Sequence, residues 1–121
     1  MEEVFSMFLE KVAEIGDWVE IRIAKDVMSE NVESFKSEMY GLQVRAGLTV
    51  VLNFECVSEM CSRALGVVAV SAWRFRQEGA SLKVSNLTPN LRRIFNYARL
   101  DLSVAAVDGM PPELSRGRLA A

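Results

Sequence analysis

The hydrophobic residues follow two periodicities in turn, and their order along the chain predicts an α/β fold. Residues 19–23 alternate apolar and polar side chains, with Glu20 and Arg22 at the polar positions, which predicts a strand with one face toward solvent. Residues 49–54 form a short β-branched run, typical of a strand buried on both faces between parallel neighbours. Residues 82–84 alternate again and predict a third strand.

Between these strands, apolar residues recur at steps of three and four, as they do on the buried face of a helix. The first predicted helix begins at Ser29, which can cap it, and ends near Gly41 to Gly47. The second spans residues 62–78 and is followed by Gly79, and the third begins at Thr88. Short connections and right-handed crossovers turn this order into a mixed, mostly parallel sheet of four to five strands packed by helices.

The two ends of the chain are less regular. Residues 4–12 suit a helix or a strand, and both alternatives stay open. Residues 102–107 are compatible with a last short strand, after which the Pro111–Pro112 pair breaks the chain. We therefore expect one domain over residues 1–108 and a flexible tail over residues 109–121.

The amino-acid composition limits the kinds of catalytic and structural site that the chain can form. Half of the residues are hydrophobic, enough for a buried core, and no apolar run is long enough to span a bilayer. The sequence contains no histidine, which removes Ser-His-Asp and Cys-His catalysis. We expect Cys56 to pack in the core and Cys61 to be an inert small side chain rather than a redox-sensitive thiol. The sequence predicts no enzyme activity, metal or cofactor, and a location in the reducing cytoplasm.

The formal net charge of −2 conceals an uneven distribution. Residues 1–60 carry 12 acidic and 5 basic side chains, a charge of −7, whereas residues 61–121 carry 4 acidic and 9 basic side chains, a charge of +5. The basic excess lies mostly on predicted helices without interleaved aromatic residues, so nucleic-acid binding is not indicated. The pattern suits solvated helix faces, or a dipolar molecule that docks a protein partner.

A motif follows the 49–54 strand. Residues 57–66 read Val-Ser-Glu-Met-Cys-Ser-Arg-Ala-Leu-Gly, residues 78–86 contain a glycine turn and an apolar strand, and residues 98–101 read Ala-Arg-Leu-Asp. This arrangement resembles the STAS domain, the module of bacterial anti-sigma factor antagonists and of sulphate-transporter tails. The family has a strand, a hydrophobic-Thr/Ser-x-hydrophobic-Asp-Ser-Ser/Thr-Gly-Leu-Gly turn into a helix, a second strand, and a helix that ends in Gly-Leu-Asp. The resemblance extends over most of the chain and implies a STAS-like single domain.

The resemblance also implies a phosphorylation site at Ser62, where the family has the serine that a partner kinase phosphorylates. A helix that begins here would stabilise a phosphate through its free N–H groups and its dipole. The alternative is that Ser62 is only a helix N-cap. Cys61 and Met28 replace acidic residues of the family and Arg63 replaces its second hydroxyl residue, whereas Asp26 is retained. These changes indicate that recognition by a kinase is altered or abolished, although Arg63 could pair with a phosphate.

The function that the resemblance implies is that of a non-enzymatic anti-sigma factor antagonist, which binds an anti-sigma factor kinase and is switched by serine phosphorylation. One alternative is a STAS subunit that docks on the ATPase of a lipid-trafficking ABC transporter. Others are a non-switching scaffold that self-associates, for instance as a homodimer, and a small enzyme or ligand carrier with a pocket near Cys61. Trp73 lies outside the buried stripe of its helix, so it either anchors a partner or packs against a neighbouring element. The predicted partner surface comprises Asp26, Met28, Ser29, Glu59, Cys61, Ser62, Arg63, Val67 and Arg74.

Overall fold

The computed structural model describes residues 7–97 and the backbone of residues 105–107. In chain order its elements are β1 (Leu9–Ile15), β2 (Trp18–Ile23), α1 (Val32–Tyr40), β3 (Thr49–Asn53), α2 (Ser62–Gln77), β4 (Ser81–Ser85), α3 (Pro89–Tyr97) and β5 (Ala105–Val107). The strands form one sheet in the order β1-β2-β3-β4-β5. β1 is antiparallel to β2, and the other neighbouring strands are parallel. The predicted α/β fold with a mixed, mostly parallel sheet is therefore confirmed.

Both irregular ends of the chain supply edge strands. Leu9–Ile15 pairs with β2, so the strand alternative for residues 4–12 is correct from Leu9 onward. Residues 105–107 pair with β4, in agreement with the predicted last strand. Residues 1–6 and the predicted tail, residues 109–121, lie outside the described part of the chain.

β3 lies at the centre of the sheet, and its burial agrees with the prediction. Val50 and Leu52 belong to the same core cluster as Phe35 of α1 and Val68 of α2. Val51, which points to the opposite face, is also fully buried. Because β2 and β3 are parallel, the turns that follow them lie at one edge of the sheet. These are the β2–α1 turn (residues 24–31) and the β3–α2 turn (residues 54–61).

The prediction that Glu20 faces solvent is wrong. Glu20 is fully buried, and its Oε2 accepts a hydrogen bond of 2.6 Å from Nδ2 of Asn53 on β3. Oδ1 of Asn53 accepts bonds of 2.9 Å from Nδ2 of Asn86 and from the backbone N–H of Glu55. An alternating sequence pattern shows which side chains share a face, but not whether the polar face is covered. The polar face of β2 is covered here, and its carboxylate finds an amide on the neighbouring strand.

Two further local predictions are wrong. α1 begins after Asn31 rather than at Ser29, because Oδ1 of Asn31 accepts a bond of 2.9 Å from the N–H of Met28 and the chain is still turning there. Cys56 is exposed on the β3–α2 turn, not in the core. The side chains of that turn that enter the core are those of Phe54, Val57 and Met60.

The predicted ends of the other two helices are confirmed. Gly79, which follows the C-cap residue Glu78 of α2, has a φ of 79°, which a residue with a Cβ rarely adopts. Oγ1 of Thr88 accepts a bond of 3.1 Å from the N–H of Leu91, so Thr88 caps α3.

The carboxylate of Glu38 on α1 holds the start of β1. Its oxygens accept hydrogen bonds from the backbone N–H groups of Met7, Phe8 and Leu9, with the shortest at 2.8 Å. These bonds satisfy three backbone donors at the start of β1, two of which precede its first paired residue, Leu9.

We expect Glu38→Gln to lower the free energy of unfolding by about 1–2 kcal/mol, because the amide offers one acceptor oxygen and turns an NH₂ group toward backbone donors. Urea unfolding followed by circular dichroism measures the loss. The matched control is Ser37→Ala, at the exposed neighbouring position, which should cost less than about 0.5 kcal/mol. Equal losses for the two variants would contradict this role of Glu38.

Candidate functional site

The β2–α1 turn and the β3–α2 turn contact each other beyond the ends of their strands. Val27 and Met60 form a parallel bridge, and the N–H of Cys61 donates a bond of 2.8 Å to the carbonyl of Val27. The carboxylate of Asp26 accepts a bond of 2.7 Å from the backbone N–H of Ser58. The two segments predicted to form one surface are therefore held side by side.

Ser62 lies exposed at the amino end of α2, where the β3–α2 turn enters the helix. Cys61 is the N-cap residue, with φ −75° and ψ 165°, and its carbonyl accepts a bond of 3.1 Å from the N–H of Leu65. Ser62 is thus the first helical residue, and the alternative that it is the N-cap is wrong. The N–H groups of Ser62, Arg63 and Ala64 have no acceptor within the helix, so the positive pole of its dipole lies here.

Arg63 connects the amino end of α2 to α1. Its guanidinium forms an ion pair with the carboxylate of Glu33, and Glu33 also lies 3.6 Å from Nζ of Lys36. The side chains of Arg63 and Glu33 are both more than half exposed. Because exposed ion pairs contribute little to stability, Arg63 can exchange Glu33 for another anion at small cost.

Arg22 fixes the start of the β3–α2 turn against β2. Its guanidinium contacts Oε1 of Glu10 at 2.8 Å and Oε2 of Glu55 at 3.4 Å. The hydrogen bond with Glu10, and after it the bond with Glu55, raises the pKa of Arg22 above its ordinary value. A permanent cation on β2 therefore holds the first residues of the turn that leads to Ser62.

The structure brings most of the predicted partner surface together, and it corrects two positions on α2. Asp26, Met28 and Cys61 are half-buried, while Ser29, Glu59, Ser62 and Arg63 are exposed. The assignment of Val67 to the predicted partner surface is wrong, because its side chain is 5% exposed and belongs to the core. Arg74 is half-buried, with its guanidinium 5.4 Å from the centre of the Tyr40 ring.

The family model described as the STAS domain matches residues 10–112. The chain belongs to the STAS domain family. No curated protein matches it in sequence.

Solved structures with the same fold as this STAS domain include anti-sigma factor antagonists. A Thermotoga maritima protein assigned to that class has a TM-score of 0.71 at 19% identity, over 93% of this chain and 95% of that one. The antagonist SpoIIAA in its unphosphorylated form has a TM-score of 0.64 at 22% identity, over 93% of this chain and 94% of its own. The phosphorylated form of SpoIIAA from Bacillus has a TM-score of 0.61 at 19% identity, over 92% of this chain and 98% of its own. At sequence identities of 19–22%, the structural similarity to these proteins establishes the fold alone.

This STAS domain also exposes a face of α2 that the predicted surface omitted. Ser62, Gly66, Val70 and Trp73 follow one another at steps of four, four and three residues, so they lie along one side of the helix. Within the described residues Val70 is 45% exposed and Trp73 is 57% exposed, so no described element covers most of the Trp73 side chain. Helical spacing counted from Ser62 could have revealed this line.

The described residues hold neither a metal-binding cluster nor a membrane-spanning helix. Among residues 7–97 and 105–107, no group of three or more His, Cys, Asp or Glu side chains could hold a metal ion. No helix in that part of the STAS domain is long and apolar enough to cross a membrane.

Proposed function

We propose that this STAS domain is a bacterial, cytoplasmic anti-sigma factor antagonist that binds an anti-sigma factor kinase and releases it when Ser62 is phosphorylated. The surface that faces the partner consists of the β2–α1 turn, the β3–α2 turn and the first turn of α2. The partner supplies ATP, and this domain supplies the acceptor hydroxyl without catalysing a reaction itself.

The observation that carries the proposal is the position of the Ser62 hydroxyl. It is exposed on the first residue of α2, directly after two turns that hydrogen bonds hold together. A kinase can reach an oxygen in this position without unfolding any element. The fold shared with SpoIIAA, whose phosphorylated and unphosphorylated forms have both been solved, supports the same interpretation.

The charge around Ser62 explains how phosphorylation would act. A phosphate adds a charge of about −1.5 to −2 at pH 7, and the free N–H groups of α2 stabilise it within the domain. The exposed carboxylate of Glu59 and the ion pair of Arg63 with Glu33 lie on the neighbouring segments, so the added charge makes this surface more acidic than it is with the neutral hydroxyl. A partner that fits the neutral hydroxyl would then have to desolvate a dianion, and its affinity falls.

The proposal predicts opposite results for two substitutions at Ser62. In cells of the source organism, tagged protein with Ser62→Ala should capture the same kinase-type ATPase as the wild type, because the surface stays neutral. Ser62→Asp should capture at least about tenfold less, because the charge mimics the phosphate. Quantitative mass spectrometry of the captured proteins measures both, and thermal unfolding confirms that the variants fold.

The matched control is Ser58→Asp, because Ser58 is also exposed and lies on the adjoining β3–α2 turn. This variant should retain more partner than Ser62→Asp. If Ser62→Asp and the wild type capture the same ATPase in equal amounts, the switch is absent. Capture of an ABC-transporter ATPase by all variants would identify the domain as a transporter subunit instead, which the loss of acids at Cys61 and Met28 favours.

A further inference from the structure

We infer that Arg63 binds the phosphate on Ser62: its guanidinium leaves Glu33 and pairs with the phosphoryl oxygens, while Lys36 keeps Glu33 paired. The inference rests on the proposed function, because it concerns the phosphorylated form of the domain, and it adds a second residue to the switch. Ser62 and Arg63 are exposed on the first turn of α2, and Glu33 is exposed on the first turn of α1.

The ion pair between Arg63 and Glu33 is easily broken. The two side chains are 62% and 63% exposed, so water screens the attraction between their charges. The carboxylate of Glu33 also lies 3.6 Å from Nζ of Lys36 on the same helix. When Arg63 leaves, Glu33 therefore still has a cation beside it, and the exchange leaves no isolated charge.

A phosphate on Ser62 competes strongly with Glu33 for Arg63. It carries a charge of about −1.5 to −2 at pH 7, more than a carboxylate, and its three oxygens suit the planar donors of a guanidinium. It is also attached to the neighbouring residue, whose Cα lies about 3.8 Å from that of Arg63. Adjacent residues of a helix point in different directions, and the long stem of arginine spans this separation by rotation of the side chain alone.

The residues beside Ser62 favour this pairing. The first turn of α2 contains no acidic residue. Cys61 and Met28, which replace acidic residues of the family, carry no carboxylate that could repel the phosphate or draw Arg63 away from it. The same substitutions that alter recognition by a kinase therefore leave Arg63 available to the phosphate.

The consequence for regulation is that one modification changes two features of the partner surface. Before phosphorylation, the domain presents a neutral hydroxyl at Ser62 and a weakly paired cation at Arg63. Afterwards it presents a phosphate whose counterion is Arg63 of the same domain, so the guanidinium is no longer available to an acidic group of the partner. The switch then needs only the rotation of one side chain.

The second pKa of the phosphate reports the new pair. Full-length protein with phosphoserine incorporated at position 62 during translation needs no kinase, and phosphorus NMR follows its titration. Because a nearby cation favours the dianion, Arg63→Gln should raise this pKa by at least about 0.5. Lys36→Gln removes a cation that stays with Glu33, and it should raise the pKa by less than half as much.

Phosphoserine incorporated at position 58 is the matched control, because Ser58 is exposed on the adjoining β3–α2 turn but is not adjacent to Arg63. Arg63→Gln should change the pKa of that phosphate by less than about 0.2, since solvent and salt screen exposed charges. The Nε–H signal of Arg63 in proton–nitrogen NMR spectra should shift when phosphoserine is at position 62, and much less when it is at position 58.

Two results would overturn the inference: equal effects of Arg63→Gln and Lys36→Gln on the phosphate at position 62, or an equal effect of Arg63→Gln on phosphates at positions 62 and 58. Since the phosphoserine is incorporated without a kinase, either result leaves the proposed binding of a kinase-type ATPase standing. Failure to capture such an ATPase would instead remove the proposed function and leave these pKa values unchanged.

Discussion

Replacing Asn53 with alanine should lower the free energy of unfolding by about 3 kcal/mol. The Asn53 amide is fully buried and joins three groups: it donates to Glu20 and accepts from Asn86 and from the N–H of Glu55. Alanine removes all three bonds and leaves the buried carboxylate of Glu20 with one donor fewer. Each hydrogen-bond partner lost from a buried group costs about 1–3 kcal/mol. The expected loss of about 3 kcal/mol is at the lower end of the sum for three lost hydrogen bonds, because water can enter the cavity.

Two further variants separate the contributions of this network. Asn86→Gly keeps the positive φ of 58° and removes one bond only, so it should cost about 1 kcal/mol. Asn53→Asp places a second carboxyl beside Glu20, which raises the pKa of the introduced acid. An acid with a raised pKa in the folded state destabilises above that pKa, so the deficit of Asn53→Asp should shrink from pH 8 to pH 5. A deficit that grows on acidification would contradict this account of the network.

Replacing Phe54 with alanine should cost about 3–4 kcal/mol. Phe54 is fully buried at the end of β3, and its ring meets Phe95 of α3 edge to face, with centroids 5.7 Å apart. The substitution removes a large apolar side chain and leaves a cavity between the sheet and α3. Because small domains have only about 5–15 kcal/mol of stability, the variant should melt at a much lower temperature.

A double-mutant cycle with Phe95→Leu isolates the contact between the two rings. The coupling energy of Phe54→Leu and Phe95→Leu should be about 0.5–1.5 kcal/mol, the range for edge-to-face pairs. Phe54→Leu alone should cost less than Phe54→Ala, because it leaves a smaller cavity. Independent effects of the two leucine variants would show that α3 does not pack against Phe54 as described.

The fold could be predicted because its main signals are local. The 49–54 run has the burial that a central parallel strand needs, and Gly79 and Thr88 end and begin helices through their own backbone and side-chain chemistry. The burial of Glu20 could not be predicted from local signals. Its burial depends on Asn53, 33 residues later, which the alternation within β2 cannot reveal.

The site was predictable in part for the same reason. The position of Ser62 follows from the helix start, but the contact between its two turns depends on hydrogen bonds such as that from Ser58 to Asp26, across 32 residues. The burial of Val67 was missed because it lies beside the most regular buried stripe, where a wider face of α2 enters the core. The pairing of Arg63 with Glu33 joins two helices, and only the packed structure sets their distance.

Phosphate mapping on the purified protein tests the central claim most directly. Wild-type protein is incubated with the captured ATPase and ATP, and peptide mass spectrometry then locates any phosphate. Ser29 and Ser58 serve as internal controls, because both are exposed on the two turns beside Ser62. We expect the phosphate on Ser62 alone, with loss of the complex as it accumulates. Phosphate on Ser29 or Ser58 instead, or a stable complex in which Ser62 stays unmodified, would contradict the proposed switch.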